Sequence, residues 1–213
     1  TLINKLMTLA SDKFPENQSD SLETFVKQYY QRVAPEYLSS YEERDLYGAV
    51  ISQWNFIQQR KAVKKGQYRP PKLHVYNPNF EQHGWQSTHT VIEVVLDDMP
   101  FIVDSVLMAL NGMGLGVHIM IYPVLKVRRN SQGELTGVLP PDDPNEEYLS
   151  ESLVHVEIDR QANPQVLSQV VKTLNRALGD VRVVVEDWQP MQQRVESLLE
   201  EMDQWPDKDG EVS

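Results

Sequence analysis

The residues best suited to chemistry lie in one short stretch in which two acids precede a proline. Asp97 and Asp98 stand at the end of an apolar run, and Met99, Pro100 and Phe101 lead into a second apolar run. Two acids could form an acid–base pair, but consecutive side chains at a strand end point apart, and no second base lies nearby in the sequence. Acids before a proline are common at the start of a helix. We therefore predict no catalytic residue in this chain.

The same stretch indicates a binding site more readily than a catalytic one. Backbone N–H groups at a helix N-terminus can bind a carboxylate, and an acid beside them can meet an ammonium group. As a hypothesis, we assign an amino-acid site to the loop between the two apolar runs. Its residues are Asp97, Asp98, Met99, Pro100 and Phe101.

The other candidate motifs favour structural roles. The glycines of 112–116 follow a predicted helix and precede a strand, whereas a dinucleotide loop follows a strand and precedes a helix. The five histidines lack metal-ligand spacing and the chain has no cysteine, so we predict no metal site. Ser105 lacks the surroundings of a nucleophilic serine. The basic residues of 61–69 suit a solvated linker better than a phosphate site, because the whole chain is acidic.

Composition limits the kinds of partner. A net charge of -11 over 213 residues opposes binding to phosphate backbones and anionic lipids, so we expect neither nucleic acid nor membrane as a partner. No apolar run approaches the roughly 20 residues that span a bilayer, and the first residues lack the pattern of a secretory signal. The absence of cysteine favours a cytoplasmic location. Because the chain begins without Met, we expect it to be a piece of a longer protein.

Hydrophobic spacing predicts three regions. Residues 1–70 form a helical segment and linker, because apolar residues recur there at helical spacing. Residues 71–190 alternate strands with helices, and 191–213 form a C-terminal helix and a charged tail. The middle region contains predicted strands at 89–96, 117–128, 153–158 and 181–188 and predicted helices at 101–113 and 164–178.

The order βαββαβ predicts an α+β, ferredoxin-like sandwich preceded by the helical segment. Each strand has one uniformly apolar face, which suits the two helices of this unit. The opposite face mixes apolar and charged residues, so we expect other domains or subunits to cover it. The hypothetical interface residues are Glu93, His118, Met120, Tyr122, His155 and Arg182.

An RNA-binding alternative shares this strand order but requires exposed aromatic residues on the central strands. The sequence has Glu93, Val95, His155 and Glu157 at those places. We therefore expect no RNA partner.

One part of the chain resembles the ACT domain. Residues 97–110, followed by Gly114-Leu115-Gly116-Val117, resemble its pattern of a strand-end acid, a loop with glycine, an apolar helix and a glycine before the second strand. Phe101 stands where that pattern has a glycine. The resemblance implies an ACT-like fold, and the departure at Phe101 implies less space for an amino acid.

Several blocks resemble the N-terminal region of the large bacterial NAD-specific glutamate dehydrogenases. They are FVKQYYQRVAP at 25–35, DLYGA at 45–49, VYNPNFEQHGWQS at 75–87 and DDMPFIVDSV at 97–106. The resemblance implies successive ACT-like domains here and a catalytic domain with its NAD site far downstream. The parent reaction would be oxidative deamination of L-glutamate to 2-oxoglutarate with NAD.

The resemblance thus implies a non-catalytic regulatory and assembly region, without a cofactor of its own, in a homo-oligomeric enzyme. Its expected partners are other domains or subunits of the same enzyme and an amino-acid effector. The alternative is a purely architectural docking or oligomerisation module with no small-molecule ligand.

Overall fold

The computed structural model describes residues 5, 6, 8, 16–38, 41–64, 67–144 and 147–203. The predicted charged tail beyond 203 lies outside these residues. Within them, no helix is both long and apolar enough to cross a membrane. In chain order, the elements are α1 (Glu16–Tyr30), α2 (Pro35–Leu38), α3 (Glu43–Ile57), β1 (Lys72–Tyr76), α4 (Phe80–His83), β2 (Thr90–Asp97), α5 (Ile102–Gly112), β3 (Val117–Ile121), β4 (Val124–Arg129), β5 (Leu135–Leu139), β6 (Leu149–Ile158) and α6 (Pro164–Asp203).

The strands form one antiparallel sheet around β6. β2 pairs along one edge of β6, and β1 pairs with β2. Along the other edge, β3 pairs with residues 155–158 and β4 with residues 149–152, and β5 pairs with β4. The strand predicted at 117–128 is therefore present but divided at Tyr122 and Pro123, where proline cannot donate a backbone hydrogen bond.

The strand predicted at 181–188 is wrong, because these residues continue the helix α6. Helical apolar spacing runs past Gly179, the residue that follows the predicted helix at 164–178, and the side chain of Arg182 donates to Glu186 one turn later at 2.7 Å. The predicted boundary at 190 also falls inside this helix. A short apolar run such as Val183-Val184-Val185 is compatible with a helix as well as with a strand, so local pattern alone does not distinguish the two.

The first strand in the chain, β1, is an edge strand of the sheet and pairs with β2. The two strands pair from Lys72 opposite Val95 to Tyr76 opposite Val91. The strand–helix–strand–strand–helix part of the predicted order is present as β2, α5, β3 with β4, β6 and α6. The final strand of the βαββαβ order is absent from the described residues.

Helices cover both faces of the sheet. On one face, α5 and α6 pack on the apolar sides of β2 and β6, as the alternation of residues predicted. On the other face, α1 and α3 of the helical segment supply a second core. That second core contains Phe25, Tyr29, Val50, Trp54, Val95, Leu125 and Leu153. The two predicted regions on either side of residue 70 thus share one buried interface, and their division into domains stays a prediction.

Candidate functional site

The loop between β2 and α5 is fixed to the neighbouring strand β6. The backbone N–H of Asp98 donates to the carbonyl oxygen of Ser150 at 2.9 Å. The Oδ1 atom of Asp98 accepts a hydrogen bond from the hydroxyl of Ser152 at 2.6 Å. The position of the two acids is therefore set by the sheet itself.

Asp97 on β2 lies opposite Glu151 on β6 at one end of these two strands. Three arginines surround this pair of acids. Arg60 Nη1 donates to Asp97 Oδ1 at 2.6 Å and to Glu151 Oε1 at 2.8 Å. Arg129 binds both oxygens of Glu151, at 2.8 and 2.7 Å, and Arg69 Nη1 lies 3.1 Å from Glu151 Oε1. The side chains of Arg60, Arg129 and Glu151 are buried, whereas the side chain of Asp97 is 52% exposed. The cluster thus connects a buried ion network to solvent through one carboxylate.

The protonation of Glu151 follows from these contacts. Burial raises the pKa of its carboxyl, but the hydrogen bonds and charges of Arg129 and Arg60 outweigh burial and hold the pKa below the ordinary value. Glu151 is therefore a stable anion in the folded chain, and it fixes the arginines around it.

A cleft of about 440 Å³ opens beside the exposed carboxylate of Asp97. The β2–α5 loop, the linker before β1 and the helix α6 form its walls. Arg182, which we had assigned to the interface, lies on the α6 wall and stacks over the ring of Tyr68 at 4.1 Å. The charged lining is balanced, with the bases Lys64, Arg69 and Arg182 and the acids Asp97, Asp98 and Glu186. Such a lining suits a ligand that carries both charges.

The structure divides the five residues predicted for the ligand site. Asp97, Asp98 and Met99 line the cleft, whereas Phe101 lines a separate groove between α5 and α6, and Pro100 lines neither. Phe101 adopts a φ of 69°, the left-handed region that glycine enters without strain, and its side chain does not fill the cleft. The glycine-to-phenylalanine departure therefore changes the groove and leaves the cleft open.

Two of the predicted interface residues are buried inside this chain. Glu93 accepts hydrogen bonds from Tyr76 at 2.8 Å and from Ser52 of α3 at 3.2 Å. His155 Nδ1 lies 3.1 Å from the side-chain nitrogen of Gln53, also on α3. Helices of the same chain therefore cover this face, and neither residue is available to an external partner.

Three further predicted interface residues, His118, Met120 and Tyr122, lie on β3 or directly after it. His118 Nε2 is 2.8 Å from Asp159 Oδ1, and its ring stacks on His89 with centroids 4.1 Å apart. The hydrogen bond from His118 and one from a backbone N–H lower the pKa of Asp159. Tyr122 is exposed and Met120 is half-buried. Among the described residues, no group of three histidines or acids is arranged to hold a metal ion.

Sequence reasoning missed Arg60, Arg129 and Glu151. Glu151 lies two residues before Leu153, so strand alternation places it on the mixed face of the sheet, which we expected to be covered, and a covered acid requires a cationic partner. That signal existed, but the strand was predicted to begin only at 153. The two arginines come from distant parts of the chain, and no local pattern connects them to the site.

Comparison with known proteins gives consistent matches. A family model described as "Glutamate dehydrogenase, ACT1 domain" matches residues 25–174. An NAD-specific glutamate dehydrogenase from Halomonas elongata is 37% identical over 202 residues, 95% of this chain and 12% of the relative. One from Pseudomonas aeruginosa is 36% identical over 196 residues, 92% of this chain and 12% of the relative. The chain thus spans 12% of the length of these relatives, and no solved structure matches it.

Proposed function

Because this chain belongs to the ACT1 domain family of glutamate dehydrogenases, we propose that it is the non-catalytic regulatory and assembly region of an NAD-dependent glutamate dehydrogenase. The parent enzyme would convert L-glutamate and NAD to 2-oxoglutarate and ammonia. The dinucleotide would bind outside this chain, and the region would contact other domains or subunits of a homo-oligomer.

The cleft beside Asp97 is the observation that supports a regulatory role. The ammonium group of an amino acid would meet Asp97 and Asp98, and its carboxylate would meet Arg69 or Arg182 across the cleft. The volume of about 440 Å³ is within the usual range for small-molecule sites. An amino acid is thus the ligand class that the balanced lining favours.

Arg60 connects the cleft to other elements of the fold. Asp97 shares Arg60 with Glu151, so an ammonium ion that binds Asp97 would weaken the bond between Asp97 and Arg60. Arg60 lies between α3 and β1, and its backbone N–H donates to Gly133 in the β4–β5 turn. A coupling of about 1–3 kcal/mol through these contacts would change an affinity elsewhere by about 5- to 150-fold.

Calorimetric titration of the chain with the proteinogenic amino acids and 2-oxoglutarate tests this role. We expect saturable heat with at least one amino acid, and its loss in Asp98→Ala. Asp104→Ala is the matched control, because Asp104 lies on the first turn of α5 and does not line the cleft. Binding that survives Asp98→Ala and fails in Asp104→Ala would contradict the proposed site.

A second candidate function is a purely architectural module that binds no small molecule. The satisfied arginine cluster favours it, because Asp97 already has cationic partners without a ligand. Silence with every ligand in the titration would support this second function.

A further inference from the structure

The second half of α6 presents an apolar stripe to solvent. Val184, Met191, Val195 and Leu198 are all exposed. Their separations of seven, four and three residues place them on one face of the helix, at the spacing of a coiled-coil seam. The helix has 40 residues and is therefore about 60 Å long, so this stripe extends well beyond the sheet.

This half of the helix needs a packing partner. Pro190 lies inside it and has no backbone N–H to donate to the preceding turn, which costs about 3 kcal/mol in a helix interior. The three consecutive valines of 183–185 also have lower helix propensity than unbranched residues. Because most helical stability in proteins comes from packing of an apolar face, a surface must cover the stripe.

A groove of about 510 Å³ lies between α5 and the first half of α6, and apolar side chains form much of its lining, as they do in the stripe. Phe101 and Met108 form its α5 wall and are strongly exposed, and the small residues Ala109 and Ala177 line it between the helices. On α6, the groove ends at Val184, where the apolar stripe begins. Groove and stripe therefore form one continuous face along α6.

Charge decides how two such faces would meet. The first half of α6, 164–181, has two basic residues and one acid, a net charge of +1. The second half, 182–203, has two basic and six acidic residues, a net charge of -4. An antiparallel arrangement places opposite charges together, whereas a parallel one places the acidic halves side by side.

We propose that α6 pairs in antiparallel orientation with α6 of a second copy of this chain. The second half of each helix lies in the α5–α6 groove of the other copy, and a two-fold axis passes near Val185 and Glu186, so that Val195 of one copy lies beside Arg176 in the groove of the other. The interface is isologous, since groove meets stripe twice. It is independent of any effector in the cleft, so failure of one proposal leaves the other unaffected.

Sedimentation equilibrium of the 213-residue chain tests the association. We expect twice the monomer mass of 24.6 kDa for the parent chain and the monomer mass for Val195→Lys. Val124→Lys is the matched control, because Val124 is 46% exposed on β4 and Val195 is 54% exposed. A dimer is expected for this control, and far-UV circular dichroism of each variant checks its folding. A monomeric parent chain, or equal dissociation of both variants, would overturn the proposal.

Cross-linking tests the orientation, because the chain contains no cysteine. Arg176 and Val195 lie at equal distances on either side of the axis, so antiparallel helices place Arg176 of one copy beside Val195 of the other. We expect a disulfide in an oxidised mixture of Arg176→Cys and Val195→Cys chains, and little in either variant alone. A disulfide between two Val195→Cys chains would show parallel helices and overturn the antiparallel arrangement. A monomer with a protease-sensitive α6 would assign the stripe to another segment and likewise overturn it.

Discussion

Arg60 Nη1 lies 2.6 Å from Asp97 Oδ1, yet the arginine side chain is fully buried and the aspartate side chain is half exposed. One hydrogen bond thus joins the buried guanidinium of Arg60 to a carboxylate that lines the open cleft. The same nitrogen lies 2.8 Å from Glu151 Oε1. The cleft and the interior of the sheet therefore respond to the same guanidinium.

Arg60→Met should lower the free energy of unfolding by about 1–3 kcal/mol, because the buried Glu151 loses one cationic partner and keeps Arg129 and Arg69. Urea denaturation measures the change. Lys27→Met is the control, since Lys27 pairs with Glu23 on the surface of α1 and should cost about 0.5 kcal/mol or less. Equal losses in the two variants would contradict the importance of the buried network.

Acid should destabilise the chain through Glu151. The pKa of this carboxyl is lower in the folded chain than its ordinary value of 4.5, so the unfolded chain binds the proton more readily. The stabilising contribution is present above pH 4.5 and is lost as the pH falls through the folded pKa. Urea unfolding between neutral and acidic pH should show this decline, and Glu151→Gln should make it shallower. An unchanged decline in the variant would contradict the assignment.

Phe101→Gly should relieve backbone strain at the start of α5. A left-handed φ costs a residue with a side chain about 1–2 kcal/mol, so we expect a gain in stability of about 1 kcal/mol. Gly84→Ala is the reverse experiment, because Gly84 has a φ of 74° and no atom within 4 Å of an added Cβ, and it should lose about 1 kcal/mol. Thermal unfolding compares the two, and a loss in Phe101→Gly would contradict the strain.

Gly48→Ala should destabilise the packing of α3 on the loop before β2. An added Cβ would lie 2.2 Å from the Cβ of Trp85, a buried residue, so overpacking should cost about 1–3 kcal/mol or more. Gly112→Ala is the control, because an added Cβ meets no atom within 4 Å there. Chemical denaturation should show a loss for Gly48→Ala and no loss for Gly112→Ala.

Local patterns in the sequence predicted much of the sheet and the helices. The apolar alternation of Ile92, Val94 and Leu96 predicted β2 and the face that packs on α5, because both are properties of neighbouring residues. The valines after 180 were misread, since helix and strand both accommodate such a run. The edge position of β1 depends on pairing between segments, which no local pattern specifies.

The candidate site was predicted only in part, for a similar reason. Asp97, Asp98 and Met99 could be found because acids before a helix form a recognisable pattern. Arg60 and Arg129 reach the site from distant segments, so their roles required the fold. The sequence indicated that Glu93 and His155 lie on a mixed sheet face that something must cover, but it did not show that α3 of the same chain provides their partners.

Because α1 and α3 cover one face of the sheet, the sheet cannot be moved to another protein without them. Glu93 and His155 find their hydrogen-bond partners Ser52 and Gln53 on α3, so a sheet transferred to another protein without these helices would leave polar groups unsatisfied and apolar residues wet. Gene fusion or exchange at the linker near residue 70 would therefore yield a poorly folding product. The helices α1 and α3 and the sheet must therefore be transferred together for either to fold.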